Sequence, residues 1–167
     1  MRRRELLTLI GSMAAWPLAA RSQQPMPVVG YLGSESPVLF ASRLSAFQKG
    51  LSAAGYVEGK NVTIEYRWAE GRNDRLPALA TELARAKVSV LATPGSLASA
   101  LAAKAATSTI PIVFETGADP VAAGLIASLN RPGGNLTGVT SLNAQVGPKR
   151  LELCMSCFPP PPHSRCW

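Results

Sequence analysis

From residue 27 onward the chain is written in short blocks whose hydrophobic period switches back and forth. Pro27-Val28-Val29-Gly30-Tyr31-Leu32 is an apolar run that ends in Gly33-Ser34-Glu35-Ser36-Pro37. Such a run, bounded by turn residues, predicts a buried strand. Phe40, Leu44, Phe47 and Leu51 then recur at helical spacing, and Gly55 suits a helix stop. Val62, Ile64, Tyr66 and Trp68 alternate with Thr63, Glu65 and Arg67, which predicts a strand with one wetter face. After a polar loop over 70–74, Leu76, Leu79, Ala80 and Leu83 form a second helical stripe, with Pro77 in its first turn. Residues 88–92 predict a third strand, and Thr93-Pro94-Gly95-Ser96 its exit. Ser96 caps an alanine-rich helix over 97–106. A fourth strand follows over 110–114, with Pro111 confined to its beginning. Asp119-Pro120 has the form of a cap and first-position proline, and Val121, Leu125 and Leu129 lie on one face of the helix they would open. Residues 131–135 compose a turn, and 136–140 a fifth strand.

Strands and helices in alternation, joined by short loops, predict a parallel sheet covered on both faces. The fold class is therefore α/β, a doubly wound parallel-sheet sandwich. With 167 residues the chain suffices for one domain with a sizeable core. No internal repeat is visible.

The first 22 residues change the picture. Arg2, Arg3 and Arg4 precede a mostly apolar stretch over 6–20, shorter than the roughly 20 residues of a membrane-spanning helix. Ala20-Arg21-Ser22 places small residues on either side of one variable position. The three parts together predict a cleaved signal peptide over 1–22, and Arg3-Arg4-Glu5-Leu6-Leu7 resembles a twin-arginine export signal. The expected address is the periplasm; the alternative is an amphipathic start to the fold. The formal net charge of +7 is partly due to this segment, and the remaining charges are scattered without a basic stripe. Nucleic acid is therefore not an expected partner.

In an open parallel sheet, ligands bind beyond the carboxyl ends of the strands. Four polar exits are legible there: Ser34-Glu35-Ser36, Thr93-Pro94-Gly95-Ser96, Glu115-Thr116-Gly117-Ala118-Asp119 and Thr140-Ser141. The candidate ligand-binding residues are Ser34, Glu35, Thr93, Gly95, Ser96, Thr116, Asp119 and Ser141. Helix N-termini near Ser96 and Asp119 suit a carboxylate, and Glu35, Glu115 or Asp119 suits an ammonium group. Together they would grip a zwitterion such as an amino acid. Ser96 and Asp119 are also expected simply as caps, and Gly95 and Gly117 as turn residues. Enzymatic motifs are lacking. No Gly-x-Gly-x-x-Gly follows the first strand, no Gly-x-x-x-x-Gly-Lys or Gly-x-Ser-x-Gly occurs, and no histidine precedes His163. The expectation is a binding protein without a cofactor; a small α/β enzyme is a minor alternative.

Four stretches carry a family resemblance: VVGYLGSESP, FQKGLSAAGYVEGKNVTIEYRWAEG, LATPGSLASALAAKAATSTIPIVFETGADPVAAGL and RPGGNLTGVTSL. In order and spacing they resemble bacterial ABC-transporter substrate-binding proteins of the tryptophan/tyrosine-binding type. The resemblance implies a periplasmic binding protein fold of two α/β lobes, with ligand trapped between them and the closed form docking on a membrane permease. It also implies that the loops beginning at Ser34, Thr93 and Thr116 face the cleft. Residues 23–153 correspond to the first lobe, and the second is missing from the pattern. The expectation is a truncated, monomeric solute-binding component of an ABC import system that captures an amino acid.

The ending, LELCMSCFPPPPHSRCW, stands apart. Cys154, Cys157, His163 and Cys166 form a four-donor zinc set in irregular spacing, and Cys154 and Cys157 could pair in an oxidising compartment. A frameshift accounts for more. Codons permitting Cys-Met-Ser-Cys-Phe-Pro, read one base earlier, can spell Leu-His-Glu-Leu-Phe-Pro and then an apolar continuation of the family type. Residues 154–167 are thus expected to be an out-of-frame, disordered tail without a metal. The companion possibility is a nonfunctional gene fragment without stable binding.

Overall fold

The computed structural model describes residues 26–157. Five strands form one parallel sheet: β1 (Val28–Gly33), β2 (Thr63–Trp68), β3 (Val90–Thr93), β4 (Ile112–Thr116) and β5 (Leu136–Thr140). Their order is β2-β1-β3-β4-β5, so the chain reverses direction across the sheet after β2. Four helices accompany them: α1 (Ala41–Ala53), α2 (Leu76–Arg85), α3 (Leu97–Ala106) and α4 (Asn143–Cys157). The expected doubly wound architecture is present, as one lobe.

Two cores flank the sheet. On one face, Leu76, Leu79, Ala80 and Leu83 of α2 and Ala100 and Ala103 of α3 close over Leu32, Leu91, Ile112 and Phe114. The four α2 positions follow the i, i+3, i+4, i+7 stripe, and each buried leucine contributes about 2 kcal/mol. On the other face, Val29, Tyr31, Val62, Ile64 and Ala92 meet Leu44, Phe47 and Leu51 of α1. No α1 residue is fully buried, because α1 lies over only part of its face. Arg67, on the wetter side of β2, pairs with Glu65 and Glu82, both at 3.2 Å.

The bounds of β1 to β4 differ from the periodic reading by one or two residues. β3 begins at Val90, and β4 begins at Ile112 because Pro111 can donate nothing to the ladder. One element is absent. Instead of a helix from Pro120, the chain makes a single turn. Asp119 Oδ1 accepts from the N–H groups of Val121 (2.9 Å) and Ala122 (3.2 Å), as a cap should. Gly124 then adopts φ +67, and the Leu125 N–H closes back on the Pro120 carbonyl at 2.8 Å. That left-handed glycine and long backward bond are a helix terminator. Leu125 enters the core, while Val121 and Leu129 remain exposed.

α4 carries on past residue 153, where the sequence pattern places the start of the tail, and includes Cys154 and Cys157. Between Leu151 and Cys157 no proline or glycine interrupts it. The thiols of Cys154 and Cys157 are free and exposed. His163, Cys166 and the signal segment over 1–22 lie outside the described residues.

Candidate functional site

All strands are parallel, so their exits fall on one edge of the sheet. Backbone hydrogen bonds lace neighbouring exits together. Ala69 N–H donates to the Gly33 carbonyl (2.9 Å) and Gly71 N–H to that of Ser34 (2.8 Å), joining the loops after β1 and β2. Gly95 N–H donates to the Glu115 carbonyl (2.9 Å), and Ser141 N–H to that of Thr116 (3.1 Å). The parallel ladder thus continues past the strand ends and makes one rim.

Every sequence-predicted residue lies on this rim, at differing depth. Ser34, Thr93 and Thr116 are buried, and Glu35, Gly95, Ser96 and Asp119 are half-buried. Ser141 is exposed. Several have structural duties. Ser96 Oγ accepts from the Ser99 N–H at 3.2 Å and caps α3. Thr116 Oγ1 accepts from the Ala118 N–H at 3.1 Å, and the Thr140 hydroxyl donates to the Ala118 carbonyl at 2.8 Å, fixing the loop after β4. The Thr93 hydroxyl is buried without a hydrogen-bond partner among the described residues.

Two features of the rim escape a linear reading. The first is Arg43, in the first turn of α1. Its guanidinium lies over the Phe40 ring, 4.7 Å from the centroid. It also lies beside Gly95; a Cβ there would be 2.7 Å from its Nη1. Arg43 has no ion pair among the described residues, nor has Glu35, whereas Arg67, Arg72 and Arg75 are each paired. The only linear signal for Arg43 is its i, i+3 spacing from Phe40.

The second is an aromatic floor below the rim. Trp68 stacks on Tyr66 at 6.4 Å and meets Tyr31 at 5.0 Å and Phe40 at 6.3 Å. These side chains belong to the apolar stripes of three elements, and strand order brings them together. Burial pushes the Tyr31 phenol up to about 12; the Tyr66 phenol adds to the shift and Arg43 opposes it.

A carboxylate could bind Arg43 and the free N–H groups of the first α3 turn, where the helix dipole is positive. A cation could bind Glu35. The Arg43 guanidinium covers Phe40, which meets the half-buried Trp68. No donor set for a metal occurs among the described residues.

Comparison with known proteins gives a consistent result. Residues 35–161 match the family described as ABC transporter substrate binding protein. The chain is 36% identical over 116 residues to a tyrosine-binding protein of Clostridioides difficile strain R20291, covering 68% of this chain and 32% of that protein. Among solved structures, an ABC domain from Streptococcus pneumoniae in complex with L-Trp aligns with a TM-score of 0.62 at 25% identity, covering 68% of this chain and 38% of the other. A conserved domain protein of Vibrio cholerae aligns at 0.65 with 32% identity, covering 75% and 43%. The ligand-free, open form of a Clostridium difficile substrate-binding protein with adhesive properties aligns at 0.64 with 26% identity, covering 75% and 43%. The chain spans about a third of the length of the curated relative it matches.

Proposed function

Because this chain belongs to the ABC transporter substrate-binding protein family, we propose that its rim is one wall of an amino-acid binding site used in solute import. The observation that carries this is a pair of unpaired opposite charges, Glu35 and Arg43, on one rim above an aromatic floor. An aromatic amino acid presents a carboxylate to Arg43, an ammonium group to Glu35, and a ring to Phe40 and Trp68. Ser34, Thr93, Gly95, Ser96, Thr116, Asp119 and Ser141 shape the same edge. The tyrosine and tryptophan named for two relatives support this ligand class.

Capture is non-covalent and needs no cofactor. In this scheme residues 1–22 direct export to the periplasm, and a membrane permease receives the solute. Residues 154–167 arise from a shifted reading frame, which sequencing the gene tests. One wall gives little enclosure, whereas small-molecule sites bury most of their ligand. The isolated chain should therefore bind more weakly than micromolar.

Titration of the isotope-labelled whole chain with L-tryptophan and L-tyrosine, followed by amide chemical shifts, tests the proposal. Shifts are expected at Ser34, Gly95 and Ser141. A rim that stays silent up to the solubility limit of both ligands would refute the assignment.

A further inference from the structure

A second cavity lies at the edge of the sheet opposite the rim, where β4 and β5 begin. It has a volume of about 360 Å³ and opens between the end of α3 and the turn before β5. Its floor is aliphatic, made by Leu125, Ile126 and Leu136, all three buried. Its walls are tied to one another. The Asn135 side-chain amide donates to the carbonyls of Thr107 (3.3 Å) and Ile110 (2.6 Å), and the Ala127 N–H donates to that of Pro132 (3.1 Å). Three separate segments of chain thus hold the cavity open.

Hydrogen-bond donors stand at its mouth. Lys104 Nζ donates to the Gly124 carbonyl at 2.8 Å, which positions the ammonium group and leaves two of its protons for other partners. Lys104 has no ion pair among the described residues. The backbone N–H groups of Gly133 and Gly134 have no hydrogen-bond partner among the described residues, and the space beside each glycine is open. No carboxylate lines the cavity. These features select a ligand. One ammonium group backed by amide donors favours a single negative charge. The aliphatic floor favours a hydrocarbon body over one that carries polar groups. The volume lies at the low end of the range for small-molecule sites, so the body is short.

We propose that this cavity is a second binding site, for a short aliphatic monocarboxylate. Lys104 pairs with the carboxylate, the Gly133 and Gly134 N–H groups donate to it, and the hydrocarbon lies on Leu125, Ile126 and Leu136. The site is separated from the rim by the length of the strands and does not depend on what the rim binds.

The test titrates the isotope-labelled whole chain with hexanoate and, separately, with hexanamide, its neutral counterpart of the same size. Hexanoate is expected to move the amide signals of Gly133, Gly134 and Leu136 with a dissociation constant of about 1 mM, as one charge-assisted contact and a short hydrocarbon allow. Hexanamide should bind about fivefold more weakly or worse. Lys104→Gln keeps a donor for the Gly124 carbonyl and removes the charge, so it should weaken hexanoate about fivefold and bring it level with the amide. Lys60→Gln, in the loop before β2 on the other side of the sheet, should change nothing. Circular dichroism checks that each variant is folded. The comparison of the two compounds on the wild-type chain needs no variant, so it decides even where Lys104→Gln fails to fold. Silence of Gly133, Gly134 and Leu136 at roughly ten times the expected constant would overturn the proposal. An equal response to both compounds, undiminished binding by folded Lys104→Gln, or shifts confined to Ser34, Gly95 and Ser141 on the rim would overturn it equally.

Discussion

The indole of Trp68 lies across the Cα of Gly33, its register partner on β1, in the space a side chain at Gly33 would need. This contact positions the aromatic floor. Gly33→Ala forces Trp68 off Tyr31 and Tyr66 and should destabilise the fold by about 1–3 kcal/mol, the usual range for overpacking. Thermal unfolding measures the loss. With Trp16 and Trp167 replaced by phenylalanine, fluorescence reports Trp68 alone, and its emission should move toward that of a solvated indole. An unchanged melting temperature and spectrum would show that the indole does not occupy that space.

Tyr31 is fully buried, and its hydroxyl has no hydrogen-bond partner among the described residues. In the unfolded chain its phenol ionises near the ordinary value of 10; in the fold it keeps its proton to about 12. Above pH 10 the unfolded state therefore holds fewer protons than the folded one. Stability is fully present below that pH and falls as pH rises through the window, by on the order of 2 kcal/mol. Denaturant unfolding across this range should show the decline, and Tyr31→Phe should flatten it. At neutral pH the same variant should be no less stable than the parent, since it removes a buried hydroxyl without a partner.

What the linear pattern discloses is local. The α2 stripe, the Ser96 cap and the apolar β1 run are all visible because each depends on neighbours within about two turns or a few alternations. The eight rim residues were legible for a related reason: in a parallel sheet every strand exit lies on the same edge. Gly124 defeats the pattern at 120–129, since a cap, a first-position proline and one apolar face are followed by a residue that terminates the turn. Phe40, Tyr66 and Trp68 look like ordinary core positions along the chain. Only the order β2-β1-β3 gathers them beneath the rim, and strand order is not a periodic property.

Asp119 combines two roles that substitution can separate. Its carboxylate caps the N–H groups of Val121 and Ala122. Asp119→Ala should cost about 1 kcal/mol through loss of the cap. Asp119→Asn keeps an oxygen acceptor and removes the charge, so it should leave stability within about 0.5 kcal/mol of the parent. If the carboxylate also helps hold an ammonium group, the asparagine variant should shift the tryptophan titration to higher concentration despite its intact stability. Equal titrations would confine Asp119 to its structural role.

Gly95 and Arg43 form the most exacting contact on the rim. Gly95 has φ +79, a left-handed conformation that glycine adopts without strain, and Arg43 fills the space where a Cβ would stand. Gly95→Ala should cost about 1–2 kcal/mol in backbone strain and push the guanidinium away from Phe40. Arg43→Gln leaves the backbone alone and removes the charge and the cation–π contact, worth about 0.5–1 kcal/mol for an exposed guanidinium. The two variants should weaken capture of tryptophan alike while differing in melting temperature. Tryptophan amide lacks the carboxylate, so the parent chain should prefer tryptophan to it and Arg43→Gln should lose that preference. If both variants kept the preference, Arg43 would not be the carboxylate anchor, although the rim could still bind ligand through the first turn of α3. If the parent bound neither compound, the amino-acid assignment itself would fall.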